Sequence, residues 1–167
     1  MPANEQGVDI KRFSVVPRTL IFLFNGKDQV LLQKGAPSKR LWAGKYNGLG
    51  GHVEPGEDIL ESALRELSEE AGVEDVPIRL CGQILVTVNQ AQGVAIFIFK
   101  GEAGDITPRD SEEGELEWVN GKEIPTKPLV EDLYELLPRV ARHQETDPLI
   151  LGKYTYNEKD ELVFLFQ

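Results

Sequence analysis

Disulfides are the first thing this chain of 167 residues cannot have, because it carries a single cysteine, Cys81. Set among apolar neighbours, that thiol reads as a buried core residue in a reducing compartment. Imidazole is scarce too, and His52 and His143, without partnering cysteines, do not make a zinc site. The longest apolar run, residues 19–24, is far too short to cross a bilayer. The first ten residues lack a basic start followed by an apolar stretch, so no signal peptide is expected. Positive charge is in deficit, with 18 lysines and arginines against 28 aspartates and glutamates and a net charge of -10. Such a surface does not track the phosphates of a long nucleic acid, although bound cations can still bring a small phosphate ligand to it. What remains is a soluble, cytoplasmic protein with a small ligand.

The composition that is present, 41% apolar and 28% charged, is that of a globular chain. Its length suits one domain over 1–167, with an ordered core from about residue 12. Strands are expected at 15–24 and 30–33 around the turn Asn25-Gly26-Lys27-Asp28. Glycines and prolines crowd 35–56, leaving room for a brief strand at 46–49. A helix follows over 58–71, with Leu60, Ala63, Leu64, Leu67 and Ala71 as its buried stripe and Gly72 as a left-handed cap. Further strands are expected at 78–88, 94–100 and 116–119, then a helical stretch over 130–143 broken by Pro138 and a hairpin from 151–156 and 161–166. Repeated hairpins exclude a purely parallel sheet, so the fold class is α/β, a mixed sheet with helices on its faces.

The chemistry concentrates in one segment. On a helical wheel Glu66 and Glu70 lie about 40° apart and Glu69 about 60° to the other side of Glu66, so three carboxylates share one side of the helix. Like charges so placed repel, and they sit near the helix end where the dipole disfavours them. A hard divalent cation turns that cost into binding, since magnesium prefers carboxylate oxygens together with phosphate and water. Gly51 lets the backbone come close, so its carbonyl offers a further ligand. Arg65 can brace a glutamate through its fork of donors, with Glu57 at the helix start as a partner. A solvated acidic helix face is the competing account of the same carboxylates.

Gly51, Glu57, Arg65, Glu66, Glu69, Glu70 and Gly72, with Leu67 and Val73 at the apolar positions, resemble the box of the Nudix hydrolases at every fixed place. Seven specified residues coincide by chance roughly once in 10^8 placements. The resemblance implies an alpha/beta/alpha sandwich and hydrolysis of a phosphoanhydride in a nucleoside diphosphate derivative. It implies magnesium, with manganese as a possible substitute, on Glu66, Glu69 and Glu70, with Arg65 orienting the cluster and Glu57 supporting Arg65. The stretch 45–51 is similar to that of the oxidised purine nucleoside triphosphatases, which implies Asn47 and the pair Glu131-Asp132 at the purine base. His52 and Glu131 depart from that branch, which usually has lysine and aspartate there. The expected substrate is therefore 8-oxo-dGTP or a related triphosphate, cleaved to monophosphate and pyrophosphate. ADP-ribose or dinucleoside polyphosphate hydrolysis and an idle nucleotide-binding regulatory domain stand as alternatives.

Glu69 and Glu113, with Glu112 beside it, are the candidates for general base. Lys34, Lys39 and Arg40 are candidates for the outer phosphates, and Phe22, Phe24, Trp42 and Tyr46 for stacking on the base. A monomer or a homodimer is expected, with no membrane partner.

Overall fold

Alternation along the first long strand decides the layering. In β1 (Ser14–Asn25), Ile21 and Leu23 point into one apolar cluster while Phe22 points into the other, as the period of two in a strand requires. The computed structural model describes residues 2, 5–8, 11–38, 42–104, 106–109 and 114–167. One mixed sheet runs in the order β3 (Tyr46–Asn47), β2 (Gln29–Gly35), β1, β5 (Gln92–Glu102), β4 (Ile78–Thr87), β7 (Ile150–Tyr156) and β8 (Leu162–Phe166), with β6 (Gly114–Asn120) on β2. β1 with β5 and β4 with β7 are parallel pairs, and the other pairings are antiparallel. Helix α1 (Ile59–Ala71) packs Ala63, Leu67 and Ala71 on the side of Ile21 and Leu23. Helix α2 (Leu133–Arg142) packs Leu133, Leu136, Leu137 and Val140 on the side of Phe22. The result is a helix–sheet–helix sandwich.

Its opening comes from a divergence of strands. β1 pairs with β2 only over Leu23–Asn25 and otherwise follows β5 from Ser14 to Phe24. The glycine-rich chain 48–53 lies antiparallel along β1 instead, through Thr19 N–H to Gly51 carbonyl at 2.8 Å and Ile21 N–H to Leu49 carbonyl at 2.7 Å. That segment carries the box to the mouth of the sandwich.

Two expectations are corrected. Leu60 and Leu64 are exposed, and the inward face of α1 holds Ser62 and Glu70 in their place. Ser62 is accommodated because its hydroxyl donates to the His52 carbonyl at 3.2 Å, which removes the cost of burying it. Pro138 lies inside α2 without breaking it. Four wholly buried apolar side chains hold the helix together, and Arg139 Nη1 donates to the Glu135 carbonyl at 3.0 Å in the turn that the proline interrupts. Cys81 is buried as expected, and burial pushes its thiol up to about 11. No helix among the described residues is long and apolar enough to cross a membrane.

Candidate active site

The start and stop of α1 set the position of every box carboxylate. Asp58 caps the helix, accepting from Leu60 N–H at 2.8 Å and Glu61 N–H at 2.9 Å, while Glu61 accepts from Asp58 N–H at 2.9 Å. This reciprocal capping box satisfies donors that the first turn leaves free. At the other end Gly72 adopts φ 62, a left-handed conformation that glycine takes without strain. Its N–H reaches the Ser68 carbonyl, and Val73 N–H reaches that of Leu67. No basic residue lies in the last turn, so Glu66, Glu69 and Glu70 stand against the helix dipole as well as each other.

Arg65 supplies the local countercharge. Its Nε donates to Glu57 Oε1 at 2.6 Å, Nη1 to Glu66 Oε1 at 2.9 Å and Glu69 Oε2 at 3.1 Å, and Nη2 to Glu57 Oε2 at 3.1 Å and the His52 carbonyl at 3.0 Å. One planar fork thereby ties three box glutamates to the glycine-rich chain. The Arg65 hydrogen bond holds the Glu57 carboxyl below its ordinary range, and the same contact raises the guanidinium pKa. Glu70 is buried and accepts from Gly50 N–H at 2.8 Å.

Gly51 must lack a side chain: a Cβ there would stand 2.7 Å from Glu66 Cδ and nearer still to Oε1. Its carbonyl, proposed from sequence as a ligand, already accepts from Thr19 N–H. Among the described residues, no three acidic, imidazole or thiol groups converge into a ready-made cage. Arg65 Nη1 bridges Glu66 and Glu69 at the rim, while Glu70 is held separately by the Gly50 amide.

Gly50, Gly51, Glu66, Glu69 and Glu70 border a cleft of about 1360 Å³. Asn47, Glu131 and Asp132 also line it, so the structure gathers Gly51, the three carboxylates of α1 and the three base-pocket candidates around one space. Asn47 Oδ1 accepts from Gly48 N–H at 2.9 Å, so this bond leaves the amide donors unused. Glu131 is exposed and pairs with Lys45 at 3.5 Å. Asp132 is 8% exposed, and burial raises its carboxyl pKa, against a hydrogen bond from Tyr154 that lowers it.

Lys34 does not line the cleft; it lies on β2 opposite Tyr46 and Glu115. Of the aromatic candidates, Phe22 belongs to the core, Phe24 packs against it, and Tyr46 is buried with its hydroxyl bonded to Glu117. Trp42 is the candidate that lines the cleft, 45% exposed and at φ 61. Lys39, Arg40, Glu112 and Glu113 lie outside the described residues.

Sequence reasoning passed over Arg18, whose Nε donates to His52 Nε2 at 3.1 Å on the cleft wall. It also passed over Tyr154, Tyr156 and Leu162 from the C-terminal hairpin. The hairpin itself is legible, and the run 152–156 is similar to the C-terminal strand pair of the oxidised purine nucleoside triphosphatases, but its place on the cleft wall arrives through sheet order.

The NUDIX domain family model matches residues 15–140. The oxidized purine nucleoside triphosphate hydrolase of Mus musculus is 28% identical over 130 residues, 77% of this chain and 81% of that protein. The NAD-capped RNA hydrolase NudC of Pseudomonas fluorescens strain Pf-5 is 27% identical over 123 residues, 74% of this chain but 43% of its own length. Among solved structures, a MutT protein from Bacillus halodurans superimposes with a TM-score of 0.75 at 24% identity, covering 92% of this chain and 98% of that one. Since the matched span contains the whole capped helix and its glycine-rich approach, the chain belongs to the Nudix hydrolase family, whose members are pyrophosphohydrolases.

Proposed function

We propose that the protein cleaves a nucleoside triphosphate bearing an oxidised purine, 8-oxo-dGTP or a close relative, to the monophosphate and pyrophosphate. One observation supports this reading above the others: a single cleft borders Glu66, Glu69 and Glu70 as well as Asn47 and Asp132. A triphosphate joined to a purine needs both kinds of surface within its own length.

The carboxylate side suits magnesium, or manganese in its place, because three acidic side chains share a rim beside glycines that keep the backbone close. Glu66, Glu69 and Glu70 would hold the ion, which when bound neutralises phosphate charge and makes a water more acidic. Arg65 and the Gly50 amide hold those carboxylates before substrate arrives, so less ordering is left for the reaction. In the proposed step a water oxygen bonds to phosphorus, the bridging phosphorus–oxygen bond breaks, and pyrophosphate departs. Glu69, 62% exposed at its side chain, or Glu113 accepts the proton that the water releases. At the base the Asn47 amide donates to a purine carbonyl and Asp132 meets the purine edge.

The test is turnover with magnesium across 8-oxo-dGTP, ordinary nucleoside triphosphates, ADP-ribose and diadenosine polyphosphates, with product masses. Selective formation of 8-oxo-dGMP and pyrophosphate is expected. Preference for ADP-ribose or a dinucleotide would overturn the base assignment, and binding without turnover of any would make this an idle nucleotide-binding domain.

A further inference from the structure

The residues matched by the family model end at 140, yet the cleft does not. Part of its remaining wall comes from the β7–β8 hairpin, where Tyr154 reaches Asp132. The ring is 2% exposed and rests against Phe164 and Phe166 at centroid distances of 5.7 and 5.8 Å. Arg139 of α2 lies 4.6 Å over the Phe166 ring. Held on these sides, the Tyr154 hydroxyl donates to Asp132 Oδ2 at 2.9 Å.

That bond decides what Asp132 can say to a ligand. A carboxylate is an acceptor at both oxygens, whereas the protonated acid is a donor at one. Burial favours the acid, and a donated hydrogen bond favours the carboxylate. Oδ2 is occupied by the Tyr154 donor, and the backbone N–H groups of Asp132 and Leu133 also favour the carboxylate, so Asp132 faces a ligand as an acceptor. We propose that Tyr154 is a specificity-determining positioning residue, which commits Asp132 to accept from the N1–H and 2-amino edge of a 6-oxopurine and so selects against 6-aminopurines. This rests on the reading that Asp132 meets the purine edge. A 6-aminopurine presents an N1 lone pair to the same oxygen, acceptor against acceptor, and such an unpaired buried contact is rejected strongly.

The experiment compares kcat and KM for 8-oxo-dGTP and 8-oxo-dATP in the wild type, Tyr154→Phe and Asp132→Asn, with thermal melting to verify folding. In the wild type, 8-oxo-dGTP is expected to be favoured by at least about 100-fold in kcat/KM. Tyr154→Phe is expected to lower that ratio at least about tenfold, through KM for 8-oxo-dGTP, while kcat stays within about threefold. A role confined to structure would lower both substrates alike. If Asp132→Asn raises KM for 8-oxo-dGTP but Tyr154→Phe keeps the wild-type ratio, the role of Tyr154 is wrong and the base site stands. If Asp132→Asn leaves KM and the ratio unchanged, the base site itself is wrong and the proposal falls with it.

Discussion

Substituting Gly51 by alanine isolates the geometry of the carboxylate rim from the stability of the fold. The added Cβ would lie 2.7 Å from Glu66 Cδ, where ordinary contact begins at 3.4 Å, so the carboxylate retreats by about 0.7 Å or more. That retreat also pulls Glu66 Oε1 from Arg65 Nη1, now 2.9 Å away. A misplacement of about 1 Å at a reacting centre costs on the order of 100-fold, so a loss of roughly 30- to 100-fold in kcat is expected, about 2 to 2.7 kcal/mol of barrier. The fold should tolerate the change, because Gly51 has no left-handed φ and the atoms in the way belong to the end of a flexible side chain. Gly50 differs: at φ 132, with a Cβ position 2.8 Å from the Thr19 carbonyl carbon, its substitution strains the backbone itself. The assay is pyrophosphate release with magnesium, set beside thermal melting. Wild-type turnover in a folded Gly51→Ala variant would refute the claim that Glu66 must sit against the glycine.

Two further outcomes follow from charge. Lys100 is buried and closes the end of α2 by donating to the Ala141 and His143 carbonyls at 2.9 and 3.0 Å. Lys100→Met leaves both carbonyls without it and should cost about 2 to 3 kcal/mol, a fall of roughly 4 to 12 °C in Tm, with the cleft chemistry unchanged. An unaltered Tm would mean the bonds contribute nothing net. Glu57 has its pKa lowered from 4.5 by the Arg65 hydrogen bond. A depressed carboxyl contributes stability that is full above its unfolded pKa and disappears as pH falls through the folded value. The stability gap between wild type and Glu57→Gln in urea titrations should thus be present at neutral pH and close on acidification, and a gap that widens toward low pH would reverse the assignment.

Legibility followed the range of the interactions. Much that is local to α1 could be read in advance: the spacing of Glu66, Glu69 and Glu70, the brace of Arg65, and the left-handed Gly72 are consequences of one helix and its ends. The hairpins β1–β2, β4–β5 and β7–β8 were likewise visible as apolar runs around polar turns. The stripe on α1 was misassigned at Leu60 and Leu64 because periodicity ranks apolar residues and does not see that Ser62 and Glu70 have buried partners, the His52 carbonyl and the Gly50 N–H. Pro138 misled for a related reason, since tertiary burial of α2 outweighs a local preference. The cleft wall was the least legible part. Arg18 meets His52 across 34 residues, and Tyr154 meets Asp132 across 22, through pairings such as β4 with β7 that no short window contains. Lys34 shows the converse: as a loop lysine it is a candidate for the outer phosphates, while its place on β2 keeps it outside the cleft.

If the carboxylate rim of α1 performs the hydrolysis, Glu70→Gln should disable it. Glutamine keeps an acceptor for the Gly50 N–H, now at 2.8 Å, and removes the charge. The measurement is magnesium-dependent turnover of 8-oxo-dGTP and of whichever other substrate proves best, alongside Tm. Turnover is expected to fall by at least about 100-fold in a protein that melts as the wild type does. A wild-type rate in the folded variant would contradict it.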